Sequence, residues 1–157
     1  MGKNILTSHQ SALVEFAQTN PEIRNAFYLT GGTALTAFYL YHRLSEDLDF
    51  FTESDVNRDK LKNLLSSKSS KLGITAIRDV DHHGIVFFYL TFADKEVLKV
   101  DFVTFPYRPV ESGMIVHGLM VDSMFDIALN KLYTLSDRPR ARDYVDLYTI
   151  LTSQDIS

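Results

Sequence analysis

The spacing of apolar residues changes character several times along the chain, and each change marks an element. Leu13, Val14, Phe16 and Ala17 recur at helical spacing, which predicts a helix from about Ser8 to Gln18, with Thr7 or Ser8 as its cap and Pro21 beyond its end. Phe27-Tyr28-Leu29 is a short apolar run that enters Gly31-Gly32, the pattern of a buried strand followed by a tight turn. From Thr33 to about Arg43 the chain is apolar on nearly every side, which suits a helix packed deep in the molecule. Between Glu46 and Thr52 the period becomes two, with Asp47 and Asp49 on one face and Leu48 and Phe50 on the other, so this stretch predicts a strand. Val56, Leu61, Leu64 and Leu65 then form the stripe of a helix over about 56–67 that Asp55 can cap, and SSKSS at 66–70 reads as its end and a loop.

Three strands are expected near 73–80, 84–92 and 96–104, joined by Asp81-His82-His83-Gly84 and Ala93-Asp94-Lys95, and residues 114–121 add another short strand. Two helices follow, Ser123 to about Ser136 and about Arg140 to Leu151, separated by Asp137-Arg138-Pro139. The order predicts a mixed α+β fold. At 157 residues the expectation is one domain, with an α/β core over 1–121 and a helical piece over 122–157.

Composition narrows the function classes. The hydrophobic share of 45% and charged share of 23% are those of an ordinary globular protein. No apolar stretch reaches the roughly 18 residues of a membrane span, and the first residues lack the apolar core of a signal peptide, so no membrane partner and a cytoplasmic location are expected. The absence of cysteine excludes disulfides and thiolate metal sites. A net charge of −4 argues against coating nucleic acid by bulk attraction while leaving room for a local basic groove, for which Arg138, Arg140 and Arg142 are candidates. Lys60, Lys62, Lys68 and Lys71 read as a solvated helix face.

The chemistry concentrates in three places. Asp47 and Asp49 flank Leu48 on a strand, so both carboxylates project from one face, and like charges that close are held together by a cation between them. Hard oxygen donors without sulfur point to Mg2+ or Mn2+. Asp101 lies in the alternating run Leu98-Lys99-Val100-Asp101-Phe102-Val103, where an unpaired acid is costly. It either joins the other two carboxylates or pairs with Lys99 on its own strand face. Thr30-Gly31-Gly32-Thr33, after a strand and before a helix, offers a phosphate cradle of close backbone, free N–H groups and the Thr33 hydroxyl, though it fits neither the Walker nor the Rossmann pattern. A phosphate turn, paired carboxylates and a third carboxylate on a later strand together suit two-metal phosphoryl transfer.

Phe27-Tyr28-Leu29-Thr30-Gly31-Gly32-Thr33-Ala34-Leu35, followed by Leu40, His42-Arg43, Ser45 and Asp47-Leu48-Asp49-Phe50-Phe51, closely resembles the signature of the AbiEii-type nucleotidyltransferase toxins, within the polymerase-β-like superfamily. The resemblance implies a polymerase-β-like nucleotidyltransferase core, a mixed sheet flanked by helices. It also implies that Gly31, Gly32 and Thr33 bind nucleotide phosphate, and that Asp47, Asp49 and Asp101 are catalytic metal ligands. Lys131 matches the family's late lysine, which serves catalysis and nucleotide binding, and Asp143 in the run Arg142-Asp143-x-x-Asp146-Leu147 matches its late acid. The activity implied is transfer of a nucleotide from an NTP to an RNA end, such as the tRNA 3′ end, or to a protein hydroxyl, with a cognate antitoxin as a partner. The alternative from a different class is a nucleotide-binding or interaction module that retains the fold without catalysis.

Other residues read structurally. His42 and Arg43 close the third element as cations at a helix C-terminus, with Arg43 free to pair with Glu46 or to orient Asp47. Ile127, Ala128, Leu132 and Leu135 are expected to face the core, leaving Lys131 on the helix flank. A surface ion-pair network accounts equally well for Arg138, Arg140 and Asp146, and Tyr39, Tyr41, Tyr133 and Tyr144 read as core and interface residues.

Overall fold

The computed structural model describes residues 5–153. Its first helix, α1 (Ser8–Thr19), opens on a reciprocal cap in which Thr7 Oγ1 accepts the N–H of Gln10 and Gln10 Oε1 accepts the N–H of Thr7. The Gln10 amide is buried and also reaches across to a distant part of the chain. Its Nε2 donates to the carbonyls of Ser45 and Glu46 at 2.7 and 3.2 Å, which pins the chain just ahead of the paired aspartates. Asn20 ends α1 and caps the short α2 (Pro21–Arg24), with Pro21 at the first helical turn, where its missing N–H costs nothing.

The chain then forms β1 (Tyr28–Thr30), α3 (Gly31–Leu35) running into a π turn over Thr36–Leu40, β2 (Leu48–Thr52) and α4 (Arg58–Leu72). It continues through β3 (Ile74–His82), β4 (Ile85–Phe92), β5 (Val97–Thr104), β6 (Met114–Val116), β7 (Leu119–Val121), α5 (Met124–Asp137) and α6 (Ala141–Ser153). All seven strands belong to one sheet in the order β3-β4-β5-β2-β1-β7-β6. β2 runs parallel to β5 and β1 parallel to β7, and the other neighbours are antiparallel. Residues distant in sequence therefore meet at the centre of the sheet.

Register sorts the side chains by face. Leu29, Phe50, Phe102 and Val86 stand side by side across β1, β2, β5 and β4, and Leu48, Val100 and Phe88 form the next rung. These residues are buried and share the core with Leu13, Val14 and Ala17 of α1 and Leu61 and Leu65 of α4. Thr30, Asp49, Asp101 and Phe87 make the corresponding rung on the opposite face. The alternation that buries one set of side chains thus presents the other set together.

Most elements lie where the hydrophobic pattern places them, and the departures have local causes. The apolar third element leaves helical geometry early: after the π turn Tyr41 adopts φ 52°, so His42 and Arg43 follow the helix and do not close it. Asn57, not Asp55, caps α4, and the serines at 66–70 lie within the helix, which runs on to a left-handed Gly73. Two of those serines are accommodated by bonding backward, Ser67 to the carbonyl of Leu64 and Ser69 to that of Leu65. Residues 114–121 form two strands, because His117 and Gly118 both take positive φ and turn the chain back on itself. Ile127 and Ala128 face the core as expected, whereas Leu132 is 55% exposed, Lys131 is buried, and Tyr41, Tyr133 and Tyr144 are exposed.

Phe102 joins the core's aromatic rings, edge-on to Phe27 at 5.0 Å and stacked on Phe50 at 5.3 Å, and it backs directly onto the strand position beside Asp101. Phe102→Ala is expected to cost about 3–5 kcal/mol, a large part of a typical domain's stability. The urea midpoint of the variant reports it.

Candidate active site

Strand register brings Asp49 and Asp101 side by side on β2 and β5, with Thr30 of β1 on the other flank of Asp49. Asp47 lies one residue before β2, positioned by the Gln10 bonds to residues 45 and 46 and by Thr33, whose hydroxyl donates to the Asp47 carbonyl. That bond ties the glycine turn to the strand carrying the carboxylates, and it directs the Thr33 side chain away from the cleft into the buried interior. Gly31 takes φ +72°, and a Cβ there would overlap the Asp49 carboxylate. At Gly32 a Cβ would stand 2.8 Å from Arg43 Nη2 and 2.9 Å from Ser45 Oγ. Both glycines are needed for this close approach.

The acidic cluster is under electrostatic stress. Burial, together with the charges of Asp101 and Asp47, pushes the Asp49 carboxyl up to about 7 against the opposing pull of Lys99 and Lys131. Burial also raises Asp101, although Lys99 Nζ donates to its Oδ2 at 2.5 Å. The pairing of Lys99 with Asp101 weighed from the sequence is therefore present, and the same ammonium stands 3.9 Å from Asp47. Among the described residues no three acidic or imidazole side chains are gathered to hold a metal ion as they stand, and Lys99 Nζ lies within 4 Å of both Asp101 and Asp47. The donor set nonetheless suits a hard cation: Asp47, Asp49 and Asp101 offer only oxygen donors along one cleft, and the buried Oδ1 of Asp101 has no hydrogen-bond partner.

The C-terminal helices supply the opposite charge. Lys131 on α5 is buried, and its Nζ reaches Asp143 Oδ1 at 2.9 Å and Asp146 Oδ2 at 2.7 Å on α6. Asp146 is fully buried and also receives Arg43 as a fork, Nε and Nη2 each at 2.6 Å, and His42 Nε2 at 2.7 Å. Against the effect of its burial, the bonds from Arg43 and Lys131 hold the Asp146 carboxyl down at about 2. The surface network expected for Asp146 is thus a buried one, and Arg43 serves it and not Glu46. No local pattern announces a pairing between positions 103 apart.

These parts line one cleft of about 420 Å3 that includes Thr30, Gly31, Gly32, Asp47, Asp49, Asp101, Lys131 and Asp143. Every site residue expected from the sequence except Thr33 is on its wall. Arg138, Arg140 and Arg142 join them, with Arg142 Nη2 4.0 Å from Asp47, and so do Arg43, Ser45, Phe87, Tyr89, Asn130 and Thr134, which the sequence motifs did not assign to a site. Asp122 is a second buried acid beside the turn, pushed up to about 6 by burial against the hydrogen bond it receives from Thr30 at 2.7 Å.

Two measurements follow from these charges. An acid raised from 3.8 to about 7 on folding binds more protons in the native state, so in chelator the protein is expected to lose stability as pH rises from about 4 to 7 and then level off. Asp49→Asn removes this contribution: it should melt several degrees above the parent at pH 8 and converge with it near pH 4, as thermal scans across pH will read. Asp146→Ala leaves Lys131 and Arg43 short of a buried partner and should cost about 3–5 kcal/mol in chemical denaturation.

Similarity to known proteins agrees with the geometry. JHP933 from Helicobacter pylori superposes with a TM-score of 0.69 at 22% identity, over 92% of this chain and 63% of that one. A second H. pylori protein, described as a nucleotidyltransferase, gives 0.68 at 20% identity over 94% of this chain and 70% of that one. The Megavirus polyadenylate synthase gives 0.60 at 15% identity, over 90% of this chain and 30% of its own length. This chain therefore spans about two thirds, or less, of each of these proteins, and at such identities the likeness concerns the fold, which is the α+β nucleotidyltransferase fold. No curated protein matches the chain. The sequence model of the nucleotidyl transferase AbiEii toxins of type IV toxin–antitoxin systems matches residues 16–157, nearly the whole chain, and the protein belongs to that family.

Proposed function

We propose that this protein transfers a nucleotide from an NTP to an acceptor hydroxyl and releases pyrophosphate, in a reaction that depends on a divalent cation. What supports the reading is the presence on one cleft wall of the Gly31-Gly32 turn, Asp47 just ahead of β2, Asp49 on β2, Asp101 on β5 and Lys131 from α5. Asp47, Asp49 and Asp101 would hold Mg2+ or Mn2+, whose chemistry at such a site is to neutralise charge on a triphosphate.

The protein's own groups do the rest. The backbone at Gly31 and Gly32 approaches the phosphates, which the lack of Cβ atoms permits. Lys131, steered by Asp143 and Asp146, faces the departing pyrophosphate. The acceptor oxygen bonds to the α-phosphorus, the bond from that phosphorus to the bridging oxygen breaks, and the hydroxyl proton passes to a carboxylate, for which Asp101 Oδ1 is unpartnered. Lys99 must leave Asp101 for the carboxylates to act together on a cation. A module that binds NTP without turning it over is the second reading, favoured by that same lysine, which already compensates two of the three acids. The family's place in a type IV toxin–antitoxin system further implies a toxic outcome and a cognate antitoxin.

Purified protein incubated with each labelled NTP, Mg2+ or Mn2+ and total cellular RNA is expected to place label on an acceptor, and Asp47→Asn should reduce it by about 100-fold or more. Undiminished transfer by that variant would remove Asp47 from the mechanism. NTP binding without label on RNA or protein would select the binding module.

A further inference from the structure

Helices that flank a sheet turn their apolar side inward and their charges outward, and α5 and α6 do the reverse. Of their charged residues, Asp126, Lys131, Asp143 and Asp146 are buried, Arg142 lines the cleft, and Asp137 stands in the last turn of α5. The side turned away from the sheet is apolar. On α5 it carries Phe125, Leu129, Leu132 and Tyr133, at the spacing of one helix face, with Tyr133 76% exposed. On α6 it carries Tyr144, Val145, Tyr148 and Leu151, with Tyr148 70% exposed. The two helices pack against each other and are joined by the bond from Lys131 to Asp143, so the two stripes adjoin. Among the described residues of α5 and α6, no charged side chain interrupts either stripe.

These side chains leave on the order of 800 Å2 in water, given roughly 150–250 Å2 for a whole aromatic side chain. That exceeds the roughly 300–600 Å2 of the largest apolar patch on a typical monomer. It matches one partner's share, about 800 Å2, of a standard protein interface. Charge decides the occupant. Two copies of a chain of net charge −4 repel wherever charged surfaces meet, and an uncharged face is where they approach without that cost. A lipid surface or a nucleic acid would call for cations along the stripes. Homodimer interfaces are the more apolar class, and a helix pair laid on its two-fold copy makes a four-helix bundle.

We propose that the outward face of α5 and α6 is a homodimer interface, covered by a second copy of this chain. The contact also serves the cleft. On the sheet side each helix fully buries a single large apolar side chain, Ile127 or Ile150, and is otherwise held by ion pairs. Apolar burial on the outer side supplies the packing that holds Lys131 and Asp143 in place.

Sedimentation velocity of the intact chain, loaded from about 1 to about 100 μM, brackets the weak end of affinities for an interface of this size. The parent should sediment as a dimer at the upper end, and its melting temperature should rise with concentration, as association linked to folding requires. Leu132→Glu and Tyr148→Glu each place two charges in the interface, one per copy, and each should weaken the dimer by about 30-fold or more. Both positions are exposed in the single chain, and circular dichroism checks that both variants fold. Val97→Glu, at an equally exposed apolar residue at the start of β5, should leave the dimer intact. A parent that stays monomeric at every concentration would overturn the proposal and leave the face to a different protein. A dimer untouched by both helix substitutions would overturn it as well, by placing the contact elsewhere.

Discussion

A fully buried carboxylate without partners would not stay ionised in a protein interior, and Asp146 stays ionised because Arg43, His42 and Lys131 all donate to it. The arrangement constrains more than the carboxylate. Arg43 cannot leave without exposing Asp146 to an unbalanced interior, and Arg43 packs against the place where Gly32 lacks a side chain. Lys131 is equally bound, since its burial is tolerable only with Asp143 and Asp146 beside it. One anion therefore fixes the positions of the glycine turn, helix α5 and helix α6 relative to one another.

The sheet side of the cleft obeys the opposite logic. There the acids outnumber their partners, and the strain shows as an Asp49 that gives up its proton only near neutrality. Lys99 relieves part of it at Asp101 and Asp47. A cleft with an anionic floor and a cationic rim is matched by a ligand that brings both signs, which is the electrostatic form of a nucleoside triphosphate accompanied by a divalent cation.

How much of this was legible in the chain depends on the range of the interactions. Alternation told which faces of β2 and β5 bear Asp49 and Asp101, with Asp47 just ahead of β2, because a period of two is a local property of a strand. That Asp49 and Asp101 are neighbours depends on β2 pairing in parallel with β5 across an inserted helix and hairpin, which periodicity cannot specify. The resemblance supplied Lys131 and Asp143, but their mutual bond and its extension to Asp146 and Arg43 join positions with no shared local pattern. The end of the third element was misjudged for a physical reason: apolar content predicts burial, and residues 36–40 are packed against the core in a π turn without continuing the helix. Thr33 looked like a phosphate ligand from its place in the turn, and only the fold shows its hydroxyl spent on the Asp47 carbonyl.

The division of the cleft into an acidic floor from residues 47–101 and a basic rim from residues 131–146 has a consequence for how the protein is made. During synthesis the acids emerge first, and the sheet itself is incomplete until β7 arrives to pair with β1. Until Asp146 has cleared the ribosome, Arg43 has no buried anion to hold it and Lys131 no partner on α6. A growing or prematurely terminated chain therefore carries the carboxylates without the groups that organise their surroundings. The cleft is therefore organised only once α6 has been made and docked.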